Sequence, residues 1–110
     1  MVNSLSIIIP CLNEEASIAE VVRAAQAGFA KAGIPGEVIV VDNGSADRSA
    51  ECAAEAGAKV VTESKRGYGA AIRKGFSLAQ NDMLVMADVD LSYDLTRLDE
   101  LVAPMRKLTA

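Results

Sequence analysis

The sequence predicts an α/β fold built on an all-parallel sheet, and three observations carry that reading. Short apolar runs recur along the chain at Ile7-Ile8-Ile9, Val38-Ile39-Val40-Val41, Val60-Val61 and Met83-Leu84-Val85-Met86-Ala87. Between them lie stretches with apolar residues at helical spacing, so strand and helix alternate as they do when crossover helices join parallel strands. The runs are apolar on both faces, the pattern of strands covered by helices on either side.

In chain order, residues 5–9 form a first strand, stopped by Pro10. The loop Cys11-Leu12-Asn13-Glu14-Glu15 follows. Ile18, Val21, Val22, Ala25 and Phe29 then mark one face of an amphipathic helix that ends near Gly33. Ile34-Pro35-Gly36 is a turn. Residues 38–41 are strand two, ending in Asp42-Asn43-Gly44-Ser45. Ser45 is expected to cap a short Ala-rich helix through Ala56, with Gly57 in the position that closes it. Residues 59–62 are strand three, and Ser64-Lys65-Arg66-Gly67-Tyr68-Gly69 opens a third helix over about 70–79. Residues 83–87 are strand four. A fourth helix is expected from near Asp94 or Thr96, with Leu98, Leu101, Val102 and Met105 inward and Pro104 kinking or ending it.

The pattern is βαβαβαβα. In a Rossmann-like half its strand order is 3-2-1-4, with the topological switch between strands one and four, and ligands bind there beyond the carboxyl ends of the strands. The polar clusters fall at those ends: Asn13 and Glu14 after strand one, Asp42 after strand two, Asp88 and Asp90 after strand four. Asp88 and Asp90 are spaced i, i+2 at a strand end, so they share one side. Two close carboxylates repel unless a cation lies between them, and Mg²⁺ and Mn²⁺ prefer such oxygens.

Composition narrows the function. The 110 residues suit one small domain, and the 51% apolar content makes it globular. A net charge of −4 argues against nucleic acid as a partner. The absence of His excludes His-based metal sites and Ser/His or Cys/His catalysis. Cys11 and Cys52 form no Cys-x-x-Cys pair, and the N-terminus has no secretory signal, so reduced cytoplasmic thiols are expected.

The loop after strand one has no glycine, so it is neither a Walker loop nor a dinucleotide fingerprint. A metal held by Asp90 is expected to neutralise a bound phosphate instead. Gly67-Tyr68-Gly69 is a partial glycine loop, equally an ordinary strand-to-helix turn. Lys65 and Arg66 stand within reach of a phosphate or form a solvated basic loop. Asp42 accepts hydrogen bonds, so it suits the N3–H of uracil or the N1–H and N2–H of guanine and suits adenine poorly; its other reading is a helix cap.

Ile7-Ile8-Ile9-Pro10-Cys11-Leu12-Asn13-Glu14-Glu15, Val40-Val41-Asp42-Asn43-Gly44-Ser45, Gly67-Tyr68-Gly69-Ala70 and Asp88-Val89-Asp90-Leu91-Ser92-Tyr93-Asp94 stand in the order of the family 2 glycosyltransferases. Nearly the whole chain resembles that family, which has the GT-A fold. It looks most like the dolichyl-phosphate mannosyl- and glucosyltransferase-like branch and related bacterial polyprenyl-phosphate enzymes. The resemblance implies a UDP- or GDP-linked sugar donor, a divalent metal (Mn²⁺ or Mg²⁺) and inverting transfer to a polyprenyl phosphate. It places Pro10, Leu12, Asn13, Glu14, Asp42, Gly67 and Asp88 at the nucleotide, with Asp42 on the base. It makes Asp90 a metal ligand and has Asp88 hold the ribose or share the metal. Asn43 departs from the pattern, where many members have a second Asp, as does Val89, where many have Ala.

Such enzymes place the acceptor site and a carboxylate base in a C-terminal half. Residues 1–110 therefore read as the donor-binding half of a GT-A domain. The resemblance assigns no catalytic base within them, and the general base is expected beyond Ala110. Strand four, apolar and without a further strand to pair, is an edge prone to self-association. The expected location is the cytoplasm or the inner face of a membrane. Two other readings remain: a nucleotide-binding module without catalysis, and a receiver-like signalling domain with Glu14 and Glu15 as its acidic pair. The latter needs a phosphorylatable Asp after strand three, where this chain has Glu63-Ser64.

Overall fold

The computed structural model describes residues 4–79 and 83–86. Strands and helices alternate: β1 (Leu5–Cys11), α1 (Ile18–Ala32), β2 (Gly36–Asp42), α2 (Ser49–Glu55), β3 (Lys59–Thr62), α3 (Tyr68–Leu78) and β4 (Met83–Met86). The sheet order is β3-β2-β1-β4, and every neighbouring pair is parallel. Ala87, Asp88, Asp90 and the helix expected near Asp94 lie outside the described residues, as does the chain from there to Ala110.

The sheet is apolar on both faces because each face has its own helical cover. Leu5, Ile7, Ile9 and Cys11 of β1 and Val38 and Val40 of β2 pack with Ile18, Val21, Val22, Ala25 and Phe29 of α1 and Ala53 of α2. Ile8, Ile39 and Val41, on alternate positions, pack on the opposite face with Ala71 and Ile72 of α3. Ile7, Ile8, Ile9, Val40 and Val41 are fully buried, which is why these strands read as unbroken apolar runs. α3 sits close on β1 because Gly75 has no side chain; a Cβ there would lie 2.4 Å from Cγ2 of Ile8. α1 ends at Gly33, whose φ of 68° is left-handed and whose N–H bonds the carbonyl of Ala30.

Two expectations need correction. Pro10 does not stop β1; the strand runs on to Cys11, with Pro10 paired to Val41 of β2. The amide of Asn43 donates to the carbonyl of Cys11, so Cys11 faces β2 and the nitrogen of Pro10 is turned away from it. The described β4 pairs end at Ile8↔Met86, so at Pro10 no described ladder bond needs the missing N–H. Ser45 does not cap α2, because its hydroxyl is engaged by Asp42 and by the amide of Asn13. The helix starts at Ser49 and is preceded by Asp47, whose Oδ1 accepts the Ser49 N–H. Gly57 does close it: Gly57 and Ala58 donate to the carbonyls of Ala54 and Ala53.

Candidate functional site

The strands β1, β2 and β3 end on one edge of the sheet and feed three loops, residues 12–17, 43–48 and 63–67. Side-chain oxygens lace the first two loops together. The amide of Asn13 donates to Oγ of Ser45 at 2.8 Å, and its Oδ1 accepts the amide of Ala46 at 2.8 Å. The amide of Glu14 donates to Oγ of Ser49 at 2.6 Å. Glu15 and Asp47 bond across the gap: the Glu15 amide donates to Oδ2 of Asp47, and the Arg48 amide to Oε2 of Glu15. To make these contacts Asn13 adopts a φ of 52°, a left-handed conformation that asparagine tolerates better than most residues.

Asp42 closes β2 and is only 6% exposed. Its Oδ2 accepts the amides of Gly44 at 3.3 Å and Ser45 at 3.0 Å, and its Oδ1 accepts the Ser45 hydroxyl at 2.5 Å. The carboxylate therefore builds the turn that follows it, and among the described residues one lone pair of Oδ1 remains. Asn43, 8% exposed, reaches the third loop. Its amide nitrogen donates to the carbonyls of Glu63 and Lys65 at 2.8 and 2.9 Å, and its Oδ1 accepts the amide of Gly67 at 3.0 Å.

The local electrostatics follow from these bonds. The Ser49 hydroxyl, joined by the amides of Ser49 and Glu15, holds the carboxyl of Asp47 below its ordinary range. Burial pushes the Cys11 thiol up to about 11 against a partial counter-effect from Ser49. The hydrogen bond that Arg48 donates to Glu51, with the nearby charge of Glu55, raises Arg48 and ties it to α2 at 3.1 and 3.6 Å.

Of the residues expected at the nucleotide, Pro10, Leu12, Asn13, Glu14, Asp42 and Gly67 lie on this edge or on its loops. Leu12 is 40% exposed, a large apolar side chain left facing solvent beside polar loops. The side chain of Asn13 is committed to loop two, and the amide of Gly67 to Asn43. Asp88 and Asp90 lie outside the described residues. Among the described residues no three acidic or cysteine side chains cluster as a metal site. Ser45, Asp47 and Ser49 escaped the sequence reading as loop-building residues. Their signal is the run Asn43-Gly44-Ser45-Ala46-Asp47-Arg48-Ser49, dense in side chains that bond nearby backbone.

The family model described as glycosyl transferase family 2 matches residues 6–110. An uncharacterized glycosyltransferase of Mycobacterium tuberculosis is 38% identical over 105 residues, covering 96% of this chain and 45% of that protein. An undecaprenyl-phosphate 4-deoxy-4-formamido-L-arabinose transferase of Pseudomonas aeruginosa is 38% identical, over 92% of this chain and 32% of that protein. Among solved structures, the M. tuberculosis glucosyl-3-phosphoglycerate synthase in complex with Mn²⁺ and UDP-glucose superposes with a TM-score of 0.77 at 27% identity, over 94% of this chain and 39% of that one. The chain thus spans less than half the length of these relatives. No helix among the described residues is long and apolar enough to cross a membrane.

Proposed function

The chain belongs to glycosyl transferase family 2, and from that premise we propose that it binds the uridine diphosphate of a UDP-sugar together with a divalent cation, for transfer of the sugar to a phosphate-bearing acceptor. The observation that carries this reading is the state of the Asp42 carboxylate. Gly44, Ser45 and the Ser45 hydroxyl fill both lone pairs of Oδ2 and one of Oδ1. Among the described residues one acceptor position is left. Uracil offers a single N–H, at N3, between two carbonyls. Guanine offers N1–H and N2–H side by side and needs both carboxylate oxygens. A carboxylate with one vacant lone pair therefore favours uracil over guanine.

The solved relative with Mn²⁺ and UDP-glucose supports a uridine-linked donor and a divalent cation. In this proposal Asp88 and Asp90, which follow β4 in the chain, are the cation's ligands. When bound, the cation supplies charge neutralisation for the departing diphosphate. Asp42 orients the base, while Pro10, Leu12, Asn13 and Glu14 wall the nucleoside. Transfer is an in-line displacement in which an acceptor oxygen attacks the anomeric carbon and the nucleoside diphosphate leaves, inverting the configuration. The names of the P. aeruginosa and M. tuberculosis relatives support an acceptor that carries a phosphate, a polyprenyl phosphate or a phosphoglycerate. A polyprenyl acceptor would place the work at a membrane surface.

Calorimetric titration with Mn²⁺ present tests the reading. UDP is expected to bind at least about tenfold more tightly than GDP, the discrimination of one good hydrogen bond to a charged group. Asp42→Ala is expected to cost roughly 1–3 kcal/mol of UDP binding and to leave pyrophosphate binding nearly unchanged. Equal losses for both ligands would make Asp42 a turn-builder only. Asp90→Asn is expected to abolish most metal-dependent binding, and Asp94→Asn little of it; equal losses would remove Asp90 from the cation.

A further inference from the structure

We propose that Asn43 is a positioning residue that holds Lys65 and Arg66 in place for the diphosphate of the donor. The inference rests on the nucleotide reading above and adds to it a device at the phosphate end.

The three loops at the strand ends, with the residue that closes β2, carry Glu14, Glu15, Asp42, Asp47 and Glu63. A diphosphate approaching that edge is repelled unless cations offset the carboxylates. The basic residues of these loops are Arg48, Lys65 and Arg66. Arg48 is spent on Glu51 and Glu55. Lys65 and Arg66 are exposed and make no ion pair among the described residues. They are the free positive charge on this edge of the described structure.

An exposed dipeptide in a loop is a poor phosphate site unless its backbone is fixed, because ordering it at binding costs entropy. Asn43 supplies the fixing. It grips the loop at three points, the carbonyls of Glu63 and Lys65 and the amide of Gly67, so Lys65 and Arg66 lie inside the gripped segment. Gly67 stands at φ 118° and ψ 152°, a conformation open to glycine alone, where the chain turns into α3. The pattern of partners requires an amide: two N–H donors meet two carbonyls, and one oxygen meets an N–H. A carboxylate of the same size would set negative charge against the Glu63 and Lys65 carbonyls at under 3 Å, since those bonds measure 2.8 and 2.9 Å. Asp42 and Asn43 are adjacent, one bonding its own turn and the other the third loop. Base recognition and phosphate recognition are thus joined through neighbouring residues.

The test measures uridine and UDP binding, with Mn²⁺ fixed, in the 110-residue chain. N43A is expected to weaken UDP about tenfold and uridine less than about twofold, the loss of hydrogen bonds that fix a loop. N43D, nearly identical in volume, is expected to weaken UDP more than N43A does; a packing role predicts the reverse order. K65A/R66A alters exposed side chains only, so it leaves folding intact and must show the same split between UDP and uridine. N43A added to K65A/R66A is expected to cost less than about a further twofold, because both act on one contact. Equal losses of uridine and UDP in N43A, additive losses in the combined variant, or full UDP affinity in K65A/R66A would each overturn the proposal while leaving the nucleotide reading standing. Failure of the unaltered chain to bind UDP would defeat both.

Discussion

Cys11 and Cys52 belong to one apolar cluster, yet the thiols differ in reach. Cys11 is 3% exposed and Cys52 is half-buried on α2. Burial raises the Cys11 thiol to about 11 against an ordinary 9.0. At about pH 8 that leaves roughly a hundredfold less thiolate than an ordinary cysteine has, and the thiolate is the reactive form. Iodoacetamide is therefore expected to modify Cys52 in the native chain and to reach Cys11 only on unfolding; mass spectrometry of the labelled peptides reads the ratio, and equal native labelling would show Cys11 open to solvent. The same scale marks how far side chains were legible. Val21 and Ile8 announced their burial through spacing alone. The duties of Asp42 and Asn43 did not, because they depend on which backbone groups meet across loops. Asn43 bonds residues 63, 65 and 67, and Asn13 bonds residues 45 and 46. Those meetings are fixed by strand register, which no local pattern encodes. An Asn read only as a departure from the family pattern proves to be the side chain that ties the third loop to the second.

Helices and strands were legible because each answers to a short period. α1 shows a buried stripe of Ile18, Val21, Val22, Ala25 and Phe29 and a glycine stop at Gly33. The start of α2 was misplaced for an equally local reason: Ser45 has a capping residue's chemistry, but tertiary partners on loop one and Asp42 claim its hydroxyl. Gly75→Ala puts a methyl 2.4 Å from Ile8, so α3 must lift from β1, and about 1–3 kcal/mol of stability is expected to be lost in urea unfolding. Gly69→Ala, whose added carbon among the described residues meets only the tip of Arg73 at 3.4 Å, is expected to be neutral or to gain under ~1 kcal/mol. Equal effects would mean that α3 is not held by the Gly75 contact. The junction of loops one and two carries a pH dependence. The Asp47 carboxyl lies below its ordinary 3.8, so the folded state favours its ionised form; that contribution is present above 3.8 and is lost as pH falls through the lower folded value. Amide exchange at Glu15 and Ser49 is expected to speed up relative to the core on acidification through that window, and to lose the step in Asp47→Asn. An unchanged step in the variant would assign it to another carboxylate.

For the whole molecule, the parallel order β3-β2-β1-β4 brings the ends of β1, β2 and β3 to one edge, and the loops after them are bonded into a single rim. The rim's bonds run within the chain, from loop to loop, so the fold itself sets the edge proposed to face the nucleotide. The relatives place the same segment within proteins at least twice as long, since it covers 45% or less of them. Among the described residues β4 pairs only with β1, which leaves its outer edge without a strand partner there. Binding and turnover are therefore expected to separate. The 110-residue chain should bind UDP weakly with Mn²⁺, because the proposed contacts rest on loops that the fold already bonds together, through Asp42, the Glu14 amide and Asn43 on the Lys65-Arg66 loop. It should not transfer sugar at a measurable steady rate, because the described carboxylates on the rim of loops one and two have other duties: Asp42, Asp47 and Glu15 accept backbone hydrogen bonds, and Glu14 is proposed to wall the nucleoside. General-base assistance is typically worth ~10²–10⁴-fold, so its loss alone would hide turnover. A strand edge left unpaired at β4 is expected to promote association at high concentration. The measurement is radiolabelled UDP-sugar with Mn²⁺ and either polyprenyl phosphate or phosphoglycerate, with light scattering on the same sample. Multiple turnovers by a monodisperse monomer would show that this segment carries its own base, and would direct the search to Glu63, Asp94, Asp99 and Glu100.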